Sequence, residues 1–302
     1  MVAVDDAMIA TLAARRWRRP RPEELVALVA ALEAWDAPAG GAVRHLLPLA
    51  AIDTGGADVV RITGAMDDVR EDRAPRLGVA VRVGRDVLAV AGDAGAIARA
   101  VGPTPTWRLL VGDVAAADAL LARGTRVHTA VAHDQRYLAA DPAAVPDPTT
   151  VEDPGVRRAE AADVEVLADL AVQLHVDDGF GPAPGPVGRR GYRDRIAVSV
   201  RAGAIDVVGP VGRPVAKLER SVDHPRHGVQ LAGIVVASDH QRRGIGRGIV
   251  AVATLRAIEG RLARGAAAPA VTLHTRTANA PALVAYAAAG FRFVEPWRLA
   301  VG

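Results

Sequence analysis

Residues 231–248, LAGIVVASDHQRRGIGRG, decide the fold. The apolar run over 231–236 is long enough for one buried strand. Ser238, Asp239 and His240 make a polar turn. Gln241-Arg242-Arg243-Gly244-Ile245-Gly246 follows, and then an Ala/Val/Ile/Leu-rich segment that predicts a helix to about Leu262. Strand, glycine loop and helix N-terminus in this order form an anion cradle. The first N–H groups of a helix lack intrahelical acceptors, and the helix dipole favours negative charge there. Glycines at 244 and 246 let the backbone approach a phosphate with no Cβ in the way. A dinucleotide fingerprint would need a third glycine at position 249, which is Ile249, and a Walker loop would need Gly-Lys-Ser/Thr, which does not occur. What remains is the pattern Q/R-x-x-G-x-G/A. Taken alone, it is also the pattern of an ordinary glycine-rich connection.

A second motif downstream narrows the choice. Val271-Thr272-Leu273-His274 reads as a strand, and Asn279-Ala280-Pro281-Ala282 opens a helix that runs through Tyr286 to Gly290-Phe291. Asn279 can cap that helix, and Pro281 sits where a missing N–H costs nothing. Gly290 supplies a left-handed C-cap, after which Phe291 starts the next strand. With both motifs in place the chain resembles the GCN5-related N-acetyltransferases (GNAT family). The likeness extends over residues 156–302, whose order resembles the family's β-α-α-β-β-β-α-β-α-β-β layout.

The chain has 302 residues, half of them apolar, which exceeds the roughly 150 of one such domain and predicts two. No run approaches the ~20 apolar residues of a membrane span, and the N-terminus lacks a basic-then-apolar signal pattern, so a cytoplasmic protein is expected. There is no cysteine, which excludes disulfides, thiolate metal sites and a cysteine nucleophile. Net charge is only +3 although the pI is near 9.9. Nearly every cation is arginine, and Lys217 is the sole lysine. The one dense basic cluster, over 15–21, reads as a solvated helix end or linker rather than a nucleic-acid arm.

An amphipathic helix is expected over 22–35, stopped by Pro38-Ala39-Gly40-Gly41. Strands follow over 77–83 and 86–90 with a hairpin turn at Gly84-Arg85-Asp86, then a helix over 92–101, a strand over 107–111 and a helix over 114–121; Tyr137-Leu138 sits near a final strand. The fold class expected is α/β with a mixed α+β sheet. Residues 1–145 would form a degenerate GNAT-like αβ domain without a CoA motif, and 153–302 a GNAT domain. Between them the proline-rich stretch 142–154 serves as linker. Within the second half the expectations are a strand over 156–158, a helix over 159–176 and a break at 177–182. A helix over 190–202 follows, then an antiparallel pair over 204–208 and 213–220, and closing strands over 291–295 and 297–301. With Leu110-Val111-Gly112, Lys217-Leu218-Glu219 and Gln230 ahead of Gly233 as the matching features, the whole-chain plan resembles an actinobacterial group of acetyltransferases with an N-terminal domain of unknown function. In tandem layout alone it is also similar to two-domain family members such as mycothiol synthase.

The resemblance implies acetyl-CoA as cosubstrate and direct attack of an amine on its thioester. Backbone groups of Ile234, Val235 and Val236 would line pantetheine and orient the acetyl carbonyl. Gln241, Arg242, Arg243, Gly244, Ile245, Gly246 and Arg247 would hold the pyrophosphate, although arginines in so Arg-rich a chain also serve as plain surface charge. Asn279 and Ala282 would contact CoA. Tyr286 matches the family's general acid; the alternative is a packed helical tyrosine. A phenol, with a pKa near 10, stays protonated until a thiolate needs the proton. Glu219 is the candidate base, yet alternation puts it on the same face as Lys217, and a structural ion pair is the competing reading. Asp177 and Asp178, with Phe180 beside them, are candidates to grip a cationic acceptor or simply to cap and face solvent. His224, His227 and His240 show no ligand spacing, so no metal is expected.

Three functions follow from this reading. The first is an N-acetyltransferase acting on a small-molecule amine. The second is an acetyl-CoA-binding sensor without turnover, and the third a peptide N-terminal acetyltransferase. Partners expected are acetyl-CoA and an amine acceptor, with no nucleic acid and no membrane. Monomer and homodimer both remain open.

Overall fold

The apolar runs and turn residues of the sequence become strands and connections in a computed structural model. It describes residues 57–65, 76–83, 86–92, 94–99, 106–123, 131–147, 149–263, 265 and 270–302. The basic cluster at 15–21, the helix expected over 22–35 with its stop at 38–41, and Gly84 and Arg85 of the hairpin turn lie outside the described residues.

In chain order the strands are β1 (Ala57–Ala65), β2 (Arg76–Val83), β3 (Val87–Gly92), β4 (Leu109–Asp113), β5 (Val131–Ala140), β6 (Val156–Arg158), β7 (Ile205–Val208), β8 (Ala216–His224), β9 (Gly228–Val236), β10 (Val271–Arg276) and β11 (Phe291–Val301). The helices are α1 (Ala94–Arg99), α2 (Val114–Ala122), α3 (Val164–Asp177), α4 (Pro186–Arg201), α5 (Ile245–Leu262) and α6 (Ala280–Ala288). Two compact units divide inside β5 and β11. One takes residues up to Arg136 together with Glu295–Gly302, and the other takes Tyr137–Val294.

In the first unit β1, β2 and β3 form an antiparallel meander, and β3 runs parallel to β4. The crossover carries α1. Asp113, ending β4, ties two elements: its Oδ1 accepts from the Ala116 amide at 2.8 Å as N-cap of α2, and its Oδ2 accepts from the Gly92 amide at 2.7 Å. Leu88, Val90, Ile97, Trp107, Leu110, Leu120 and Ala300 share one core. Gly112 is required there, because a Cβ would stand 1.8 Å from the Val90 carbonyl oxygen. These elements are the mixed α/β material expected of the N-terminal half.

The second unit has strand order β5-β10-β9-β8-β7-β6. β10 pairs parallel with β9, and the pairs from β9 through β6 are antiparallel. Helices cover both faces. Leu167, Leu170, Ile196 and Val200 of α3 and α4 bury against Ile205, Val207 and Val235. On the other face Ile249, Val250 and Ala253 of α5 pack with Leu218, Leu231, Val271 and Leu273.

Three differences from the sequence reading have local causes. α4 begins at Pro186, with Gly185 as N-cap, rather than at Arg190. Its first turns are Gly- and Arg-rich, and only Ile196 and Val200 are buried, so no apolar period announces them. The two closing strands are one, β11, which passes through Pro296. Pairing with β4 begins at Trp297, so the missing proline N–H interrupts no bond of that ladder. The stretch 142–154 carries no helix or strand among its described residues, but it is no free tether. Val145 and Val151 pack on the core of the second unit, and a Cβ on Gly290 (φ 88°) would lie 2.7 Å from Val145 Cα. The close approach and the left-handed φ together explain a glycine there.

Candidate active site

Strand β9 builds the site by failing to stay flat. Against β8, Glu219 faces Ala232 and Lys217 faces Val235, so Leu218 stands opposite both Gly233 and Ile234. This is a β-bulge, and Gly233 at φ 57° supplies the left-handed residue it needs. Against β10, the parallel register runs from Val229↔Val271 to Leu231↔Leu273 and goes no further. Residues 232–236 thus have an open side, and Ile234, Val235 and Val236 line a cavity of about 830 Å³.

The turn after β9 delivers the next wall. Arg242 takes a left-handed φ of 61° and Gly244 a φ of 79°, which aims the chain into α5 at Ile245. The first described bond of that helix runs from the Gly248 amide to the Gly244 carbonyl at 2.9 Å. Gly244, Ile245, Gly246 and Arg247 all border the cavity, so the N-terminal amides of α5 lie on its wall. Gln241 and Arg242 line it too. The Gln241 side chain donates from Nε2 to the Val236 carbonyl at 3.2 Å and pins the turn to the strand it leaves. Arg243 does not line the cavity; its guanidinium donates to the Asp239 carbonyl at 2.9 Å.

The opposite wall is α6. Asn279 caps it, its Oδ1 accepting from the Ala282 amide at 3.3 Å. Asn279, Ala282 and Tyr286 all line the cavity. Tyr286 is 6% exposed and meets Phe291 edge-on at 6.3 Å. Burial pushes its phenol above the ordinary value, and the Asp178 carboxylate adds to the rise. The ring therefore holds its proton at neutral and mildly alkaline pH.

The expected acidic loop closes one end. Asp177 and Asp178 line the cavity, but each is engaged by this chain. Arg276, just past the divergence of β10, places its Nε 3.5 Å from Asp178 Oδ1 and donates to the Asp177 carbonyl at 2.6 Å. Arg276 carried no role in the sequence reading. Its one signal was its position at the end of a strand that leads into the Asn279 helix. Phe180 stands apart from the cavity lining and packs edge-on against His175 at 5.9 Å, whose ring bonds the Tyr192 hydroxyl at 2.9 Å.

Glu219 also lies outside the lining. Its Oε1 accepts from Ser199 Oγ at 2.6 Å, and its Oε2 is 3.7 Å from the place of a Gly233 Cβ. Lys217, 2% exposed, donates from Nζ to the Gly233 carbonyl at 2.9 Å. Burial lowers its pKa to about 8, opposed by the Glu219 carboxylate and assisted by Arg195. The folded value lies below that of the unfolded chain, so between about pH 8 and pH 10.5 the unfolded state binds more protons and Lys217 makes folding stability rise with pH. Urea unfolding of wild type and Lys217→Met at pH 7 and pH 10 should show their stability difference moving in favour of wild type, by on the order of 3 kcal/mol. Parallel behaviour of the two proteins would contradict it. Among the described residues no group of three or more His, Asp or Glu could hold a metal ion, and no helix is long and apolar enough to cross a membrane.

Set beside known proteins, residues 205–291 match the sequence model of the Acetyltransferase (GNAT) family. No curated protein gives a significant match. Among solved structures, a GNAT-family protein from Novosphingobium aromaticivorans is similar at 19% identity and TM-score 0.45, covering 73% of this chain and 86% of its own. A GNAT-family acetyltransferase from Colwellia psychrerythraea stands at 11% identity and TM-score 0.47, covering 76% and 86%. A tandem GNAT protein from the clavulanic acid biosynthesis pathway stands at 13% and 0.47, covering 95% and 98%.

Proposed function

We propose, for a chain whose residues 205–291 form a domain of the GNAT acetyltransferase family, that it transfers the acetyl group of acetyl-CoA to a small-molecule amine by direct attack on the thioester. The observation that carries this reading is a single cavity of about 830 Å³ bordered by the open side of β9, the N-terminus of α5 and Tyr286. Each wall suits one part of the reaction. The α5 amides, with Arg242 and Arg247, present positive charge to a pyrophosphate. The open edge of β9 offers backbone donors where oxyanion charge develops on the acetyl carbonyl. Tyr286 holds a proton for the leaving sulfur.

In this chemistry the amine nitrogen bonds to the carbonyl carbon and the carbon–sulfur bond breaks. Tyr286 donates its phenolic proton to the thiolate, and the proton lost by the amine passes to a base. Glu219, bonded to Ser199 beside the bulge, is the residue proposed to receive it, through water. Asp177 is proposed as the carboxylate that meets a cationic acceptor, because the Asp178 charge is already met by Arg276. Gln173 donates to the Asp177 carboxylate at 3.2 Å and keeps it at the cavity's end. The chemistry is proposed to be confined to the C-terminal domain expected over 153–302, and every residue given a role here lies in the compact unit Tyr137–Val294.

An assay of free-thiol release from acetyl-CoA across a panel of primary amines tests the reading, with mass spectrometry of the acetylated amine. Amine-dependent release, absent for the matching alcohols, is expected. Tight acetyl-CoA binding with no release for any amine or peptide N-terminus would replace the enzyme with a sensor.

A further inference from the structure

The only lysine of the chain is buried at one of the two register shifts between β8 and β9, the one nearer the cavity. We infer that Lys217 is a positioning residue, which fixes the Gly233 bulge and thereby the open edge of β9 on which acetyl transfer depends. The inference rests on the function proposed above and assigns the site a support that the sequence motifs do not contain.

Its basis is geometric. At a bulge one strand carries an extra residue, and the ladder leaves a backbone group there without its regular partner. Here the Gly233 carbonyl finds its donor in a side chain, Lys217 Nζ at 2.9 Å, from the neighbouring strand. A Cβ on residue 233 would meet that same nitrogen at 2.9 Å, so the ammonium fills the space beside the glycine. Pairing of β9 with β10 has ended at Leu231, two residues earlier. From Ala232 onward β9 is therefore held on the β10 side by nothing in the ladder. Its course past the cavity is set by β8, by the Lys217 bond at Gly233 and, at its far end, by the side-chain amides of Gln173 and Gln241, which donate to the Val236 carbonyl at 3.1 and 3.2 Å. Lys217, Val207 and Val235 lie opposite one another across β8, β7 and β9, on the face covered by α3 and α4. Burial of a charged amine at this point is costly unless it is bonded, and an apolar side chain of the same length would pack there more cheaply. An ammonium retained in such a place is explained by the carbonyl it holds. The side chain does not line the cavity, so its effect passes through residues 233–236.

The test compares wild type with Lys217→Met, which keeps length and apolar bulk. Three readouts are taken: amide hydrogen exchange of residues 232–236 without any ligand, the acetyl-CoA Kd, and kcat with an amine that the thiol-release assay has identified. Expected are exchange at 234–236 faster by tenfold or more with α5 unchanged, kcat lower by tenfold or more, and a Kd within threefold of wild type. A residue that served stability alone would lower the unfolding midpoint and leave kcat per folded molecule unchanged; that result overturns the inference. Should Lys217→Met fail to fold, Gly233→Ala reads the same contact from the other side. It should reproduce the kcat loss at unchanged Kd, and wild-type kcat in it would overturn the inference. Absence of turnover in wild type would remove the proposed function instead. Ligand-free exchange would then decide: rates at 234–236 equal to wild type refute the positioning role, and selectively faster rates uphold it.

Discussion

Tyr286→Phe is expected to lower kcat for acetyl transfer by roughly 10²-fold or more, with the acetyl-CoA Kd almost unchanged. The substitution removes one oxygen from a ring that is 6% exposed and packed edge-on against Phe291. Phenylalanine keeps that contact, so the fold and the apolar wall of the cavity survive. What is lost is the one proton donor that α6 contributes to the cavity lining. Burial first, and the Asp178 carboxylate second, hold the phenol above its ordinary pKa. Wild-type kcat should accordingly show no alkaline fall from this group through pH 9, where a free phenol near 10 would begin to titrate. Stopped-flow or steady-state thiol release over pH 6–9 checks both statements. An unchanged kcat in the phenylalanine variant would leave Tyr286 as a packing residue.

Gly246→Asp is expected to weaken acetyl-CoA binding by 10²-fold or more while leaving the protein folded. Gly246 lies in the first turn of α5, where a carboxylate is favourable to the helix. Its backbone is not left-handed, and a Cβ would make only an ordinary contact, 3.5 Å from Val236 Cγ2. The new carboxylate occupies the wall that the proposal gives to the pyrophosphate and repels it. A loss of that size corresponds to about 3 kcal/mol. Calorimetric titration, with circular dichroism to show an intact fold, reads the result. Binding within threefold of wild type would place the anion elsewhere than at the start of α5.

The site was legible where its chemistry is local in sequence. Residues 231–248 announce strand, turn and helix by an apolar run, two glycines and an apolar period, and the structure has β9, the turn and α5 there. Asn279 as cap and Gly290 as the left-handed C-terminal residue were equally readable, since a cap depends on residues a few positions away. Features set by pairs distant in sequence could not be read. The Lys217–Gly233 bond depends on a bulge, which alternation alone cannot reveal, because it breaks the period on which alternation rests. Arg276 meets Asp177 and Asp178 only because β10 and the end of α3 border one cavity. Arg243 belonged to the same motif as Arg242 but points to the Asp239 carbonyl, since the left-handed turn at Arg242 sends neighbouring side chains in different directions. The start of α4 and the fusion of the last two strands escaped for a compositional reason. Gly, Pro and Arg mark breaks on average, and at Pro186 and Pro296 the backbone uses proline's fixed φ where no N–H is needed.

The proposed chemistry rests on acetyl-CoA binding in the cavity between β9, α5 and α6. The most direct measurement of that binding is calorimetric titration of the full chain with acetyl-CoA, repeated with the Gly246→Asp variant. One site per chain in wild type, lost in the variant, is the predicted result. No heat of binding in wild type, or two sites of which the variant loses neither, would contradict it.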